Sequence, residues 1–393
     1  MNIRKTNLKN SIRTHSLLIV LILSFSFYCI GQETNYNSFK PGELWLDNNN
    51  QHINAHGGGF LYHNKTYYWF GEYKGAGKDG SKAFVGVSVY SSKDLYNWKN
   101  EGVALRVVKG TLSKLQEGCT LERPKVIYNK KTGKFVMWFH HELKGEKYKA
   151  ALTGVAVADN ITGPYIYLNS FRIHAGILPR NMSQTTFDSI PTINEQQKLS
   201  KEIRINQAKN GELFKRDFLG GQMSRDMTLY VDEDDSAYHI TASEENQTML
   251  ISKLSDDYLS LSGDYIRILP GERNEAPAVL KRNGKYYLFT SGLTGWKPNP
   301  ARLSVANSMM ENWTSLGNPC VGTEDEINTT FWSQSTYIIP VEGKKNAFIF
   351  VADRWNGKNL GNSKYIWLPV RFDGEIPYLT WEKEWNLRIF DRK

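Results

Sequence analysis

The chain has 393 residues and a formal net charge of +9, from 49 basic against 40 acidic side chains. Aromatic residues make up 13% of it, with only 13 Pro, which excludes a disordered or coiled-coil chain and favours an all-β domain. The length suffices for one large domain or two modest ones.

Arg4, Lys5, Lys9 and Arg13 precede an apolar run over 17–30, with no acidic residue before Glu33. This is the pattern of a secretory leader, and the run is short for a membrane span. Cleavage after Gly31 makes 1–31 a signal peptide and 32–393 the mature chain. Its balance is then +5, because four of the 49 basic residues leave and all 40 acidic ones stay. Nucleic-acid binding loses its support, and a periplasmic or secreted protein acting on a neutral or anionic glycan fits the remaining charge. A lipid anchor at Cys29 is the alternative, disfavoured by the bulk of Tyr28. Cys119 and Cys320 remain, either free or joined in one disulfide. No CxxC pair suggests a metal and no later apolar stretch suggests a span; the expectation is a monomer without cofactor or metal.

Past the leader one unit recurs five times. Its centre is a turn followed by an aromatic or aliphatic strand, at 65–72, 133–140, 236–243, 284–291 and 345–352. A short apolar run precedes each, at 59–62, 125–128, 227–231, 278–280 and 337–339, and the joining turns carry Asn64, Asn129, Asp234-Asp235, Asn283-Gly284 and Glu342-Gly343. That is hairpin chemistry. An alternating segment follows each, at 85–90, 153–158, 249–254, 301–306 and 365–370. After it comes an edge-like strand, as at 94–98, 162–167 and 311–313. Four short strands per unit and five units predict a five-bladed β-propeller. Between the second and third units lies a polar insertion, 171–222, with helical periodicity over 194–208, read as a rim loop bordering the pocket.

In a propeller the innermost strand of each blade aims its first residues at the axial funnel. At that register stand Asn54-Ala-His-Gly-Gly-Gly59, Leu121-Glu-Arg-Pro124, Ser224-Arg-Asp226, Asn274-Glu-Ala-Pro277 and Trp332-Ser-Gln334. Glu122, Asp226, Glu275 and Gln334 therefore converge. Two Glu side chains beside Pro at the mouths of buried strands are poor core residues, since uncompensated burial is costly. Carboxylates gathered on one funnel point to acid/base work on a sugar. Asp232-Glu-Asp-Asp235 lacks the glycine and distal Glu of a calcium loop and reads as a hairpin turn. The His140-His141-Glu142 run has no zinc spacing, although one of its side chains can reach the funnel.

With Tyr67-Tyr-Trp-Phe-Gly-Glu72, Tyr90-Ser-Ser-Lys-Asp-Leu-Tyr-Asn-Trp98 and Ser291-Gly-Leu-Thr-Gly-Trp296 added to those motifs, the chain resembles glycoside hydrolase family 43 from Asn54 to Trp385. The nearest pattern is the exo-β-1,3-galactanase-like branch. The resemblance implies an exo-acting, inverting hydrolase of β-linked xylose or galactose, with α-L-arabinofuranose or an inactive glycan-binding propeller as alternatives. It makes Glu275 the general acid, Glu122 the carboxylate that tunes it, and Asp226 a sugar ligand. The wider family has an Asp base in blade one, where this chain has Asn54-Ala55-His56. Gln334 is then the residue to handle the attacking water, through a rarer tautomer or by orientation alone, with Glu72 and Glu245 as the carboxylates left to take the proton. His56, Tyr148, Thr294, Trp296 and Trp332 complete the expected substrate contacts.

Overall fold

The computed structural model describes residues 35–110, 112–193 and 200–391; the predicted leader and Cys29 lie outside the described residues. Each repeat folds as an antiparallel meander. The first comprises β1 (His56–His63), β2 (Thr66–Glu72), β3 (Gly86–Ser92) and β4 (Lys99–Arg106), and the second β5 (Thr120–Asn129), β6 (Lys134–Glu142), β7 (Leu152–Ala158) and β8 (Ile166–Phe171). Three short helices follow: α1 (Gln184–Ser189), α2 (Lys201–Lys209) and α3 (Glu212–Asp217). The third sheet holds β9 (Met227–Val231), β10 (Ala237–Ser243), β11 (Thr248–Leu254) and β12 (Leu261–Ile268); the fourth holds β13 (Glu275–Arg282), β14 (Lys285–Ser291), β15 (Arg302–Ala306) and β16 (Thr314–Gly317).

The remaining chain departs from the repeat. After β17 (Cys320–Val321) and α4 (Glu324–Thr329), the strands β18 (Gln334–Pro340), β19 (Phe348–Arg354) and β20 (Lys364–Pro369) form a three-stranded sheet. The next two, β21 (Arg371–Asp373) and β22 (Ile376–Thr380), join β17 in a sheet of their own. The expectation of a five-bladed propeller is therefore corrected to six sheets. The cause is a change of partner: β22 pairs in parallel with the distant β17, Cys320 opposite Leu379, instead of extending the sheet of β20. Five of the sheets supply an axial strand. β1, β5, β9, β13 and β18 pack side by side in a ring, and β18 closes on β1, where Thr336 Oγ1 donates to Gly58 O at 2.9 Å.

Apolar layers fill the gaps between sheets. Trp69, Trp98 and Trp367 are buried in one cluster that joins the first sheet to that of β18, β19 and β20. Cys119 and Cys320 are free and buried in different clusters, which removes the disulfide alternative.

The predicted outer strands begin later than their motifs. Residues 94–98 form a turn, in which Asp94 Oδ1 accepts from the N–H groups of Tyr96 and Asn97, both at 2.8 Å, and Trp98 Nε1 folds back onto Leu95 O at 3.1 Å. Trp313 does the same to Met309 O at 3.3 Å. The Trp of the motif is thus the buried anchor of a turn, and pairing starts one residue after it, at Lys99 and Thr314. The 171–222 insertion is a folded helical unit, not a rim loop. The described part of its predicted 194–208 helix is α2, and Ile173 and Gln222 close its base by a two-way backbone bridge. Phe214 and Ile173 pack on Leu250 and Tyr265 of the third sheet. The acidic run at 232–235 is the β9–β10 hairpin turn, as its composition predicts. No helix among the described residues is long and apolar enough to cross a membrane.

Candidate active site

The axial strands deliver their first side chains through a shared backbone device. Glu122 pairs with His140, Glu275 with Ser291 and His56 with Glu72, and immediately after each the register slips by a bulge. The residue in the bulge has positive φ: Arg123 at 55°, Ala276 at 53°, Gly57 at 55°. A bulge bends its strand and re-aims the flanking side chain. At Gly57 only glycine fits, since a Cβ there would stand 2.1 Å from Glu72 Oε1. Gln334 follows a left-handed run, Thr330 to Trp332, with φ of 51°, 54° and 57°.

These side chains meet in a cup of about 340 Å³, room for one sugar ring, lined by Glu72, Glu122, Asp226, Glu275 and Gln334 among others. Arg123 is its hub. The buried guanidinium donates to Gln334 Oε1 at 2.7 Å and to Ser335 O at 3.1 Å, and pairs with Asp226 Oδ2 at 2.9 Å. Beneath it, Lys125 Nζ donates to Gly57 O at 2.9 Å; burial and the neighbouring Arg123 push this ammonium down to about 7. The amide oxygen of Gln334 is fully engaged, and one of its two N–H groups is left for a further acceptor. Its Oε1 also accepts from Trp355 Nε1 at 2.9 Å, and its Nε2 donates to Ser291 Oγ at 2.9 Å.

The two glutamates have opposite environments. Burial, reinforced by Asp226, pushes the Glu275 carboxyl up to about 8, against the weaker pull of Arg123, Arg225 and a 2.6 Å hydrogen bond from Asn246 Nδ2. Burial acts on Glu122 too, but there it is outweighed. His140 Nδ1 at 3.2 Å, Lys74 Nζ at 3.8 Å and the Tyr148 hydroxyl at 2.9 Å hold Glu122 down at about 2. His140 also pairs with Glu142 at 2.9 Å through Nε2; despite burial, the two carboxylates raise it to about 9, so it is an imidazolium at neutral pH. Near pH 7 Glu275 holds its proton while Glu122 is ionised. Such a pair can hold a proton ready for a departing oxygen beside a fixed negative charge.

The donor atoms of Glu122, His140 and Asp226 lie within 4.8 Å of one another. Both imidazole nitrogens already face carboxylates and Asp226 is bound by Arg123, so these groups form a hydrogen-bonded charge network and not a ready metal cage.

The family model for glycosyl hydrolases family 43 matches residues 208–361. The solved GH43 beta-1,3-galactosidase BT3683, in complex with galactodeoxynojirimycin, is 48% identical, with a TM-score of 0.82 over 89% of this chain and all of that one. The chain belongs to glycoside hydrolase family 43. The exo-beta-1,3-galactanase of Clostridium thermocellum is 34% identical (88% of this chain, 66% of that one, TM-score 0.71), and that of Phanerochaete chrysosporium is 30% identical (90% and 68%, TM-score 0.71). A beta-D-galactofuranosidase of Aspergillus niger is 37% identical over 101 residues, so this chain spans 29% of that relative's length.

As a family 43 glycosidase, the protein places most of its predicted site residues at the cup. Glu72, Glu122, Tyr148, Asp226, Glu275, Trp296 and Gln334 line it. Four do not. His56 is buried behind the wall, its Nδ1 3.0 Å from Asp353 Oδ1 and its ring stacked on Tyr365. Glu245 turns away to Arg216 and Arg204. Thr294 is tied into its own loop by Lys297 and Asn299. Trp332 lies outside, bonded to Asp325 at 3.0 Å with Arg354 against its ring. Sequence reasoning missed Lys74, Asn246 and Trp355. All three lie just after the second strand of a sheet, in the turn leading to the third, and that position, compared across repeats, was the available signal.

Proposed function

We propose that this family 43 enzyme is an exo-acting, inverting β-galactosidase that removes the non-reducing-end sugar from β-1,3-linked galactose chains. The observation that carries the reading is the opposed pair in one sugar-sized cup, Glu275 pushed up to about 8 and Glu122 held at about 2. Glu275 protonates the departing glycosidic oxygen. Glu122, with His140 and Lys74, fixes the charge around the sugar, and Asp226, held by Arg123, binds its hydroxyls. The choice of galactose over xylose or α-L-arabinofuranose is supported by the activities named for the solved relatives that span most of this chain.

Gln334 positions the attacking water in its ordinary amide form. An amide oxygen has two in-plane lone pairs, and Arg123 and Trp355 occupy both. The imidic tautomer would put a hydroxyl where two donors already point. Proton acceptance then falls to a carboxylate, and of Glu72 and Glu245 only Glu72 lines the cup. On the leader pattern we also infer export, which a mature N-terminus at Gln32 in mass spectrometry would bear out.

The deciding experiment is the sugar released from β-1,3-galactobiose and from β-xylo- and α-L-arabinofurano-oligosaccharides, with the first anomer formed read by NMR. Galactose appearing as the α anomer is expected. Release of another sugar, or of β-galactose, refutes the assignment. Binding without turnover would mark an inactive glycan-binding propeller.

A further inference from the structure

The β10–β11 turn carries three consecutive non-glycine residues in the left-handed region: Glu244 at φ 51°, Glu245 at 57° and Asn246 at 61°. Residues with a Cβ visit that region at a cost, Asn least of them. Such a run persists only where surrounding contacts impose it. Here each residue has its own contact. Glu244, fully buried, accepts both Nε and Nη2 of Arg267 on β12, at 2.5 and 2.7 Å, and the Thr248 hydroxyl at 3.1 Å. Glu245 faces the helical insertion, with Arg216 Nη1 of α3 at 2.6 Å and Arg204 Nε of α2 at 3.4 Å. Asn246, last in the run, aims Nδ2 at Glu275 Oε1, 2.6 Å away.

We propose that the insertion is a positioning device for the acid: α3, through the Arg216–Glu245 pair, holds the left-handed turn that presents the Asn246 amide to Glu275. The proposal rests on the reading of Glu275 as the general acid. Arg216 and Asn246 are positioning residues, neither of which has to touch the reacting atoms. The charged groups facing Glu275 are Asp226 and Arg225, which precede β9, and Arg123 on β5. Among them the Asn246 N–H favours the ionised carboxylate and fixes which oxygen is free to carry the proton. Loosening the turn therefore has two effects. The acid loses its aim at the departing oxygen, and its titration moves upward because burial and Asp226 then act with less opposition.

The test measures kcat and KM against pH for Arg216→Met, Arg216→Lys, Asn246→Gly, the Arg216→Met/Asn246→Gly double variant and Glu275→Gln. The substrates are β-1,3-galactobiose and an aryl β-galactoside with a dinitrophenolate leaving group. Arg216→Met is expected to lower kcat on galactobiose about tenfold and on the aryl galactoside less than about twofold, since only the former needs the proton. The alkaline limb should move up by about half a pH unit, Arg216→Lys should restore most of the rate, and the double variant should match Asn246→Gly alone. Melting temperatures check that the variants fold, and Asn246→Gly, which keeps the positive φ, reads the far end of the turn without disturbing the insertion. Equal loss on both substrates, an unmoved limb or additive effects overturn the proposal. If Glu275→Gln itself loses equally on both substrates, the acid assignment fails and the latch with it; if Glu275→Gln behaves as an acid variant while Arg216→Met is silent, only the latch fails.

Discussion

Glu275→Gln should stabilise the protein near neutrality while removing its turnover of natural substrate. Burial first, then Asp226, lifts this carboxyl to about 8 from an ordinary 4.5. Between those two values the unfolded chain has lost the proton and the folded chain still holds it. The folded state therefore binds more protons, and its stability falls as pH rises through the window. Below 4.5 both states are protonated and nothing is lost; above 8 both are ionised and the loss levels off. At ~1.4 kcal/mol per pH unit, the loss at pH 7 is about 3 kcal/mol. A neutral glutamine never incurs it, and its carbonyl still accepts from Asn246. For a chain of this length about 3 kcal/mol corresponds to roughly 4 °C of melting temperature. Scanning calorimetry of wild type and variant at pH 4, 7 and 8.5 is the assay. The difference should be near zero at pH 4, roughly 4 °C at pH 7 and somewhat larger at pH 8.5. A difference independent of pH, or a variant less stable at pH 7, refutes the account of how the acid is kept protonated.

Three further outcomes are expected. The pH profile of kcat/KM should fall as pH rises through about 8, where Glu275 ionises, with no acid limb from Glu122, which stays charged down to about 2; any acid limb belongs to Glu72, which burial raises above the ordinary carboxylate value, and a profile that stays flat through pH 8 would contradict this. Trp355→Phe removes one of the two donors on Gln334 Oε1 and should lower kcat about tenfold with little change in KM, a split that steady-state kinetics on galactobiose reads directly. Gly57→Ala places a methyl 2.1 Å from Glu72 Oε1 at a φ of 55° and should cost more than about 2 kcal/mol in chemical denaturation, against well under 1 for an alanine at an exposed glycine such as Gly220.

The repeat itself was legible because each strand carries its own local signature. Aromatic and β-branched residues alternate between Asn, Asp and Gly turns, and this recurs five times, so β9 begins and ends where its apolar run does. Glu122, Asp226, Glu275 and Gln334 were found because they occupy one register of one repeated unit. Comparison across units can see such a register. His56 shares it too, yet Asp353 and Tyr365, about three hundred residues away in the chain, hold it behind the wall. Glu245 is a carboxylate in the β10–β11 turn, one residue from the Asn246 that reaches Glu275, and only the arginines of the insertion decide that it faces them.

The amino-acid pattern alone determined the all-β meanders, one helical stretch within the insertion and the four polar side chains that open the axial strands, since these follow from periodicity and turn chemistry within a few residues. Tertiary structure decided the sixth sheet, the late start of the outer strands, which glutamate keeps its proton, and the recruitment of Lys74, Asn246 and Trp355. The physical reason is that pairing partners, desolvation and the field of neighbouring charges are set by residues distant in sequence, and no local window contains them.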